Sequence, residues 1–397
     1  MHSWGSVDYA RESVMDFEYE QQGSSILITW PDGQTNDYPF IWLRDNCQCP
    51  RCFHPATHER LLFTADIDPD ITVTSVSGGP DAITLHWAEA GGHESHFTGE
   101  WLYHNSMAAP KGGTVRESAV LWDASSLHEI PTFDYAEVAY DENGMLRWCA
   151  ALRAFGIARI RDVPRNDGTV VAFAEQVGYV HDTIYDRLHN VYSDPNAYNL
   201  ASTAEELKPH TDMPNYFSPP GVQLLHFIDN EAEGGETTLV DGYACALQLK
   251  EADPEAYEIL ASTDVGFRLS SSKGDIIGQS PLIELNNRGF ISTIRYSNQL
   301  MLPLLIPGEE VKGFYDSYRK FSRLLNSPDN LVQFKTGSGD MIATHNHRVL
   351  HGRAKFKPAS GARHLQLAYL DFDLVMSRLR QRQVADIGAD WSVERFY

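Results

Sequence analysis

His210 and Asp212, in Lys208-Pro209-His210-Thr211-Asp212, are spaced so that on a β-strand both side chains point to one face. One imidazole and one carboxylate on a shared face are two of the three ligands of a 2-His-1-carboxylate iron(II) site. The third ligand must be a histidine from elsewhere in the fold. His351, in Asn346-His347-Arg348-Val349-Leu350-His351-Gly352-Arg353, is the candidate. Such a triad leaves metal positions open for a co-substrate and dioxygen. Among 16 histidines an isolated H-x-D also fits a strand with solvated polar residues, so neighbouring signals must decide. Arg363 lies in Gly361-Ala362-Arg363-His364-Leu365-Gln366-Leu367-Ala368-Tyr369, whose alternation reads as a strand. A guanidinium held rigidly beside the metal is the natural bidentate partner of a dicarboxylate's far end. The Gly234-Gly235-Glu236-Thr237 turn offers the Thr237 hydroxyl to the same carboxylate.

Cys47, Cys49 and Cys52 form a second cluster, whereas Cys149 and Cys245 stand alone in apolar surroundings and read as buried thiols. In a reducing compartment, three thiols at C-x-C-x2-C spacing read as metal ligands rather than disulfides. A tetrahedral zinc site needs a fourth ligand, and His54, His58, His86, His93 and His96 are near in sequence. His93 is preferred, because it follows a strand able to pair back on the first hairpin. A closed Cys3His site is structural and does no chemistry.

The elements that must position these residues begin at Ser24. Ser25 to Trp30 and Tyr38 to Leu43 read as strands around a Pro31-Asp32-Gly33 turn. Residues 1–23 are polar and are expected to be frayed or to form an arm against a partner subunit. Domain boundaries are placed at 1–105 for a zinc-binding β-domain, 106–140 for a linker and 141–397 for a catalytic domain. Within the last, Asn143 to Phe155 and Thr169 to Val180 have helical spacing around an Ile157–Ile160 strand. Gly221 to Ile228 reads as a strand, Gly242 to Ser262 as a helical insert, and Ile283 to Tyr296 as a hairpin. Pro307 to Asn326 carries one apolar stripe of Val311, Phe314, Tyr315, Tyr318, Phe321, Leu324 and Leu325, which predicts a helix packed on core or on a partner. Met376 to Val384 closes the pattern as a basic helix.

The H-T-D run followed by P-P-G-V-Q-L-L-H, together with G-G-E-T, L-H-G-R and the later Arg363, resembles the iron(II)/2-oxoglutarate dioxygenases of the taurine dioxygenase superfamily. More closely it is similar to their γ-butyrobetaine and trimethyllysine dioxygenase branch, from about residue 24 onward. The resemblance implies a mainly β, α+β fold: a double-stranded β-helix (jelly roll) behind a small zinc-binding β-domain. It places the zinc histidine in the context of His93, before Trp101-Leu102. It also implies a homodimer, and an aromatic cage that holds a trimethylammonium group by cation–π attraction. Tyr185 and Tyr369 match cage positions, and Asn199 matches an amide that holds the substrate's anionic end. His189 stands where a cage tryptophan is expected, and Ser202 where another tyrosine is. The turn Asn286-Asn287-Arg288-Gly289 adds amide and guanidinium donors. Asn287 and Arg288 favour a three-oxygen anion, as in the [2-(trimethylamino)ethyl]phosphonate dioxygenases. They are also ordinary residues for a hairpin tip.

Composition sets the outer bounds. The 397 residues, 42% hydrophobic and 11% aromatic, suit a large globular domain with a smaller one. No run of about 18 apolar residues is present, so no membrane span is expected. Met1-His2-Ser3-Trp4-Gly5 lacks signal-peptide character, which makes the cytoplasm the expected location. A formal net charge of −22 argues against nucleic acid. The expected activity is therefore an enzymatic hydroxylation using Fe(II), 2-oxoglutarate and dioxygen, with structural zinc. The substrate is a small quaternary ammonium compound with an anionic end, foremost [2-(trimethylamino)ethyl]phosphonate hydroxylated next to phosphorus. γ-Butyrobetaine hydroxylation to carnitine is the alternative within the class. Outside it stand a non-oxygenase metal-dependent jelly-roll enzyme and a non-enzymatic module that binds a partner through its zinc domain.

Overall fold

The computed structural model describes residues 16–106, 118–192, 203–271 and 273–387. They fall into two compact units, one within residues 1–111 and one within 112–386.

The first unit holds two three-stranded antiparallel sheets. One is β1 (Glu18–Gln22), β2 (Ser25–Thr29) and β3 (Thr35–Pro39); the other is β4 (Val73–Gly78), β5 (Ala82–Trp87) and β6 (His93–Thr98). Alternate residues of β2 and β5 (Ile26, Ile28, Ile83, Leu85) are fully buried and share a core with Trp30, Tyr38 and Trp87. Two sequence expectations change here. The second strand stops at Pro39, and Phe40–Asp45 is a helix, α1, with Phe40 and Leu43 buried. A run of consecutive apolar residues does not distinguish strand from helix. β5, the strand that His93 follows, pairs with β4 and β6 and not with the first hairpin. Helix α2 (Gly99–His104) follows, capped by the Thr98 hydroxyl accepting from the Trp101 amide at 3.2 Å.

The second unit is a sandwich. Its larger sheet has the order β7 (Thr132–Asp134), β8 (Ile157–Arg161), β19 (Met341–His345), β11 (Val222–Asn230), β22 (Arg363–Leu370) and β9 (His189–Tyr192). The smaller is β10 (Leu207–His210), β20 (Val349–Arg353), β13 (Thr237–Asp241) and β18 (Val332–Phe334). Among the described strands only β7–β8 is parallel. Helices α3 (Tyr135–Tyr140) and α4 (Glu142–Phe155) lie between β7 and β8 in sequence, and α5 (Thr169–Val177) lies between β8 and β9. Trp148, Phe173, Val222 and Leu224 share the core that α4 and α5 form with the large sheet. Helices α6 (Gly242–Ala252) and α7 (Pro254–Ser262) break at Asp253-Pro254, where proline starts a new first turn and Asp253 caps it.

Next come β12 (Glu233–Gly234), paired with β21 (Phe356–Lys357), the hairpin β14 (Val265–Ser271)–β15 (Gly274–Ser280), and the hairpin β16 (Ile283–Leu285)–β17 (Ile291–Ile294). Helix α8 (Gly308–Leu325) buries Phe314, Tyr318, Phe321 and Leu325 as its spacing predicts, while Tyr315 turns out to solvent. Helix α9 (Phe372–Ile387) starts four residues before the expected Met376.

Residues 118–140, assigned from sequence to a linker, belong to this unit. Trp122 is buried, its indole donating to the Phe155 carbonyl at 2.7 Å and its amide to Asp241 at 3.2 Å. Asp241 also forms a fully buried ion pair with Arg348, whose guanidinium donates to the Ala154 and Val120 carbonyls at 2.7 and 2.5 Å. Polar anchors of this kind leave no periodic trace in sequence. Asn199, Ser202 and residues 1–15 lie outside the described residues.

Candidate active site and metal centres

Backbone pairing sets the two imidazoles. His210 ends β10 and is the register partner of His351 on β20, which also pairs with Leu239 of β13. The rings meet at 4.5 Å between centroids. Asp212 departs from expectation: β10 stops at His210, and the carboxylate is delivered by a turn in which Met213 has φ 55°. Asn346 fixes that turn from both sides, its side chain accepting from the Asp212 amide at 2.8 Å and donating to the Asp212 carbonyl at 2.9 Å. Asp212 Oδ1 then lies 3.4 Å from His210 Nε2 and 3.7 Å from His351 Nε2. Its other oxygen accepts from Tyr369 Oη at 2.8 Å and from Gln223 Nε2.

This arrangement passes a test of fit to iron. The Nδ1 of His210 lies 3.0 Å from the Lys208 carbonyl, which calls for a proton there and leaves the Nε2 lone pair facing the cluster. His351 Nδ1 is buried without a partner among the described residues. Burial pushes His351 down to about 4 against the pull of Asp212, so its ring is a neutral donor at neutral pH. Burial alone would raise the Asp212 carboxyl. The neighbouring imidazoles and the Tyr369 hydroxyl outweigh it and hold the group well below the usual carboxylate range. The three ligand atoms lie within 4.8 Å of one another. Two imidazoles and a carboxylate in this arrangement make a 2-His-1-carboxylate iron site.

The site opens on a cavity of about 430 Å³ between the two sheets. Thr237, buried on β13, and Arg363, at the start of β22, both line it. Gly234 and Gly235 take φ 81° and 69° in the preceding turn. A Cβ on Gly234 would meet the Lys355 carbonyl oxygen at 2.5 Å, so the paired glycines let the turn pack on β21. Burial and the neighbouring Arg353 charge push Arg363 down to about 9, so it stays cationic, and its Nε has no hydrogen-bond partner among the described residues.

Tyr185 and His189 line another wall as a parallel stack, 4.3 Å between centroids and 7° between planes. Tyr369, expected as a cage ring, lines the cavity and also holds Asp212. Asn287 and Arg288 are not brought to the cavity. They sit exposed at the β16–β17 tip, where Asn286 Oδ1 accepts the Arg288 amide at 2.9 Å and closes the turn. Sequence reasoning missed Gln223, Asn346 and Arg353. The first two are polar residues inside apolar strand or turn runs, and a buried amide there demands a partner.

In the first unit, Cys47, Cys49, Cys52 and His93 come together. His93 Nε2 lies 3.3, 3.6 and 3.5 Å from the three sulfurs. Zinc–sulfur bonds of about 2.3 Å and zinc–nitrogen bonds of about 2.0 Å give a tetrahedral edge of about 3.5 Å, so the cluster is compatible with zinc. Burial pushes the Cys47 thiol up to about 12. His54, His58, His86 and His96 are not in the cluster.

The family model for the taurine catabolism dioxygenase TauD, TfdA family matches residues 115–369. A γ-butyrobetaine hydroxylase-like N-terminal model matches 17–103. The chain is 32% identical over 360 residues to a γ-butyrobetaine dioxygenase of Pseudomonas sp. (strain AK-1), covering 90% of this chain and 93% of the relative. It is also 32% identical to the γ-butyrobetaine dioxygenase of Homo sapiens, with 89% and 93% covered. A mitochondrial trimethyllysine dioxygenase of Bos taurus is 29% identical, with 86% and 82% covered. Each model matches one unit and the relatives span both, and the chain belongs to the TauD, TfdA family of dioxygenases, with the γ-butyrobetaine hydroxylase-like domain at its N-terminal end.

Proposed function

We propose that this enzyme hydroxylates a small trimethylammonium zwitterion, with Fe(II) held by His210, Asp212 and His351 and 2-oxoglutarate as co-substrate. The observation that carries the proposal is the imidazole and carboxylate cluster opening on a cavity that is also lined by Arg363, whose Nε is buried with no hydrogen-bond partner among the described residues. When bound, the iron supplies dioxygen activation coupled to oxidative decarboxylation of 2-oxoglutarate to succinate. Arg363 and Thr237 take the far carboxylate and so orient the keto-acid end toward the triad. Gln223 and Tyr369 keep Asp212 turned toward the imidazoles. The Tyr185–His189 wall offers a flat aromatic face to a quaternary ammonium group. Cys47, Cys49, Cys52 and His93 hold zinc and fix the fold of the first unit.

Named substrates of the relatives are γ-butyrobetaine and trimethyllysine. For this chain we assign [2-(trimethylamino)ethyl]phosphonate, hydroxylated next to phosphorus, on the departures His189 and Ser202 from the cage expected for γ-butyrobetaine. γ-Butyrobetaine is the second reading, favoured by the exposed position of Asn287 and Arg288 at their hairpin tip. Fe(II) enzyme with 2-oxoglutarate and oxygen should release succinate, and each of the three compounds is added in parallel. Stimulation by the phosphonate alone supports the assignment. Stimulation by γ-butyrobetaine alone replaces it, and stimulation by none removes the trimethylammonium reading.

A further inference from the structure

Two guanidiniums converge on one ring beside the co-substrate site. Arg353 ends β20 two residues beyond His351, so strand alternation puts both side chains on one face, and both line the cavity. The Arg353 guanidinium carbon lies 4.8 Å from the Phe356 ring centroid, and that of Arg363 lies 5.1 Å from the same centroid. Phe356 is itself buried. Arg353 Nη2 donates to the carbonyls of Thr203 and Glu205 at 2.8 and 2.5 Å. Those carbonyls satisfy N–H groups and leave the positive charge in place. Like charges set together away from water repel, and an anion shared between them removes the repulsion.

We propose that Arg353 is a positioning residue whose charge, added to that of Arg363 across the Phe356 ring, makes this end of the cavity select a dicarboxylate co-substrate over a keto acid with no distal carboxylate. The proposal rests on the assignment of Arg363 to that carboxylate. Arg363 contacts the anion, and Arg353 acts at one remove. It also ties the segment entering β10 to β20, so charge and anchoring must be separated experimentally.

Binding to the Fe(II) protein is measured without oxygen for 2-oxoglutarate and for 2-oxobutanoate, which shares the keto-acid end and lacks the far carboxylate. Arg353→Gln keeps donors for the two carbonyls and loses the charge, whereas Arg353→Lys keeps the charge and loses the planar fork. Arg353→Gln should weaken 2-oxoglutarate about tenfold and leave 2-oxobutanoate unchanged, with Arg353→Lys restoring most of the loss. Equal weakening of both ligands in both variants would overturn the proposal and leave Arg353 as an anchor of Thr203 and Glu205. If Arg363→Met weakens 2-oxoglutarate while Arg353→Gln does not, this inference alone fails. If Arg363→Met changes nothing, the assignment of Arg363 fails and takes this inference with it. Thermal midpoints of all variants check that each is folded.

Discussion

Replacing Tyr369 by Phe separates two roles that the cavity assigns to one residue. The ring, buried on β22, remains as an aromatic wall, and only the hydroxyl that donates to Asp212 Oδ2 at 2.8 Å is lost. A hydrogen bond to a charged acceptor contributes about 1.5–3 kcal/mol. Metal affinity responds to a part of that, because Gln223 still donates to the same oxygen and Asn346 still clamps the Asp212 backbone. The carboxylate then has one restraint fewer against turning away from the imidazoles, for a cost of about 1.4 kcal/mol, or about tenfold in Fe(II) affinity. Anaerobic Fe(II) titration should show that weakening, and saturating iron should bring kcat most of the way back with the substrate KM unchanged. Tyr369→Leu, which removes ring and hydroxyl, should add a rise in substrate KM. Iron affinity equal to wild type in Tyr369→Phe, with a raised substrate KM, would refute the argument that the hydroxyl orients Asp212.

Three further outcomes are expected. His226 is fully buried on β11, neither ring nitrogen has a partner among the described residues, and burial, with a smaller push from His364, takes it down to about 4. Its folded value lies below the unfolded 6.5, so its neutral form supports the fold above pH about 6.5 and that support is lost as pH falls toward 4, by up to about 3 kcal/mol. His226→Leu should flatten the fall of thermal midpoint across this window, and a slope equal to wild type rejects the account. Chelation of zinc, or Cys52→Ala, should unfold the first unit while 2-oxoglutarate still binds the Fe(II) site of the second, with proteolysis reporting which unit opens. Arg348→Met strands Asp241 as a buried charge and should cost about 3–5 kcal/mol in denaturant unfolding, more than Arg348→Met together with Asp241→Leu.

How far the sequence revealed this site depended on which interactions set each part. Helix α8 was legible because its apolar spacing is a local property. The iron histidines were legible because few chemistries use such a residue set, and the Cys47–Cys52 cluster because its spacing is compact. The sequence misplaced Phe40–Leu43 as strand, since a wholly apolar run has no period to read. It gave Trp122 to a linker, because what buries that indole is a contact to Phe155 and an ion pair made across the fold. Asn287 and Arg288 were drawn toward the substrate by their donor groups, whereas the tight β16–β17 turn uses them as tip residues.

The same distinction explains the build of the metal site. Strand register alone places the two imidazoles, because His210 and His351 are direct partners across β10 and β20. Pairing of β20 with β10 on one side and a continuous ladder with β13 on the other keep them there. Asp212 has no such ladder: it follows the last strand residue, ahead of a positive-φ methionine, where nothing repetitive fixes direction. Its position is therefore specified by side chains, Asn346 on the backbone and Gln223 with Tyr369 on the carboxylate. Asn346→Ala should accordingly weaken iron binding more than Tyr369→Phe, since it frees the turn itself. It should do so with little change in 2-oxobutanoate or 2-oxoglutarate preference, which is set at the other end of the cavity. Anaerobic iron titration of the two variants side by side checks the order, and an Asn346→Ala affinity equal to wild type would show that the turn holds itself.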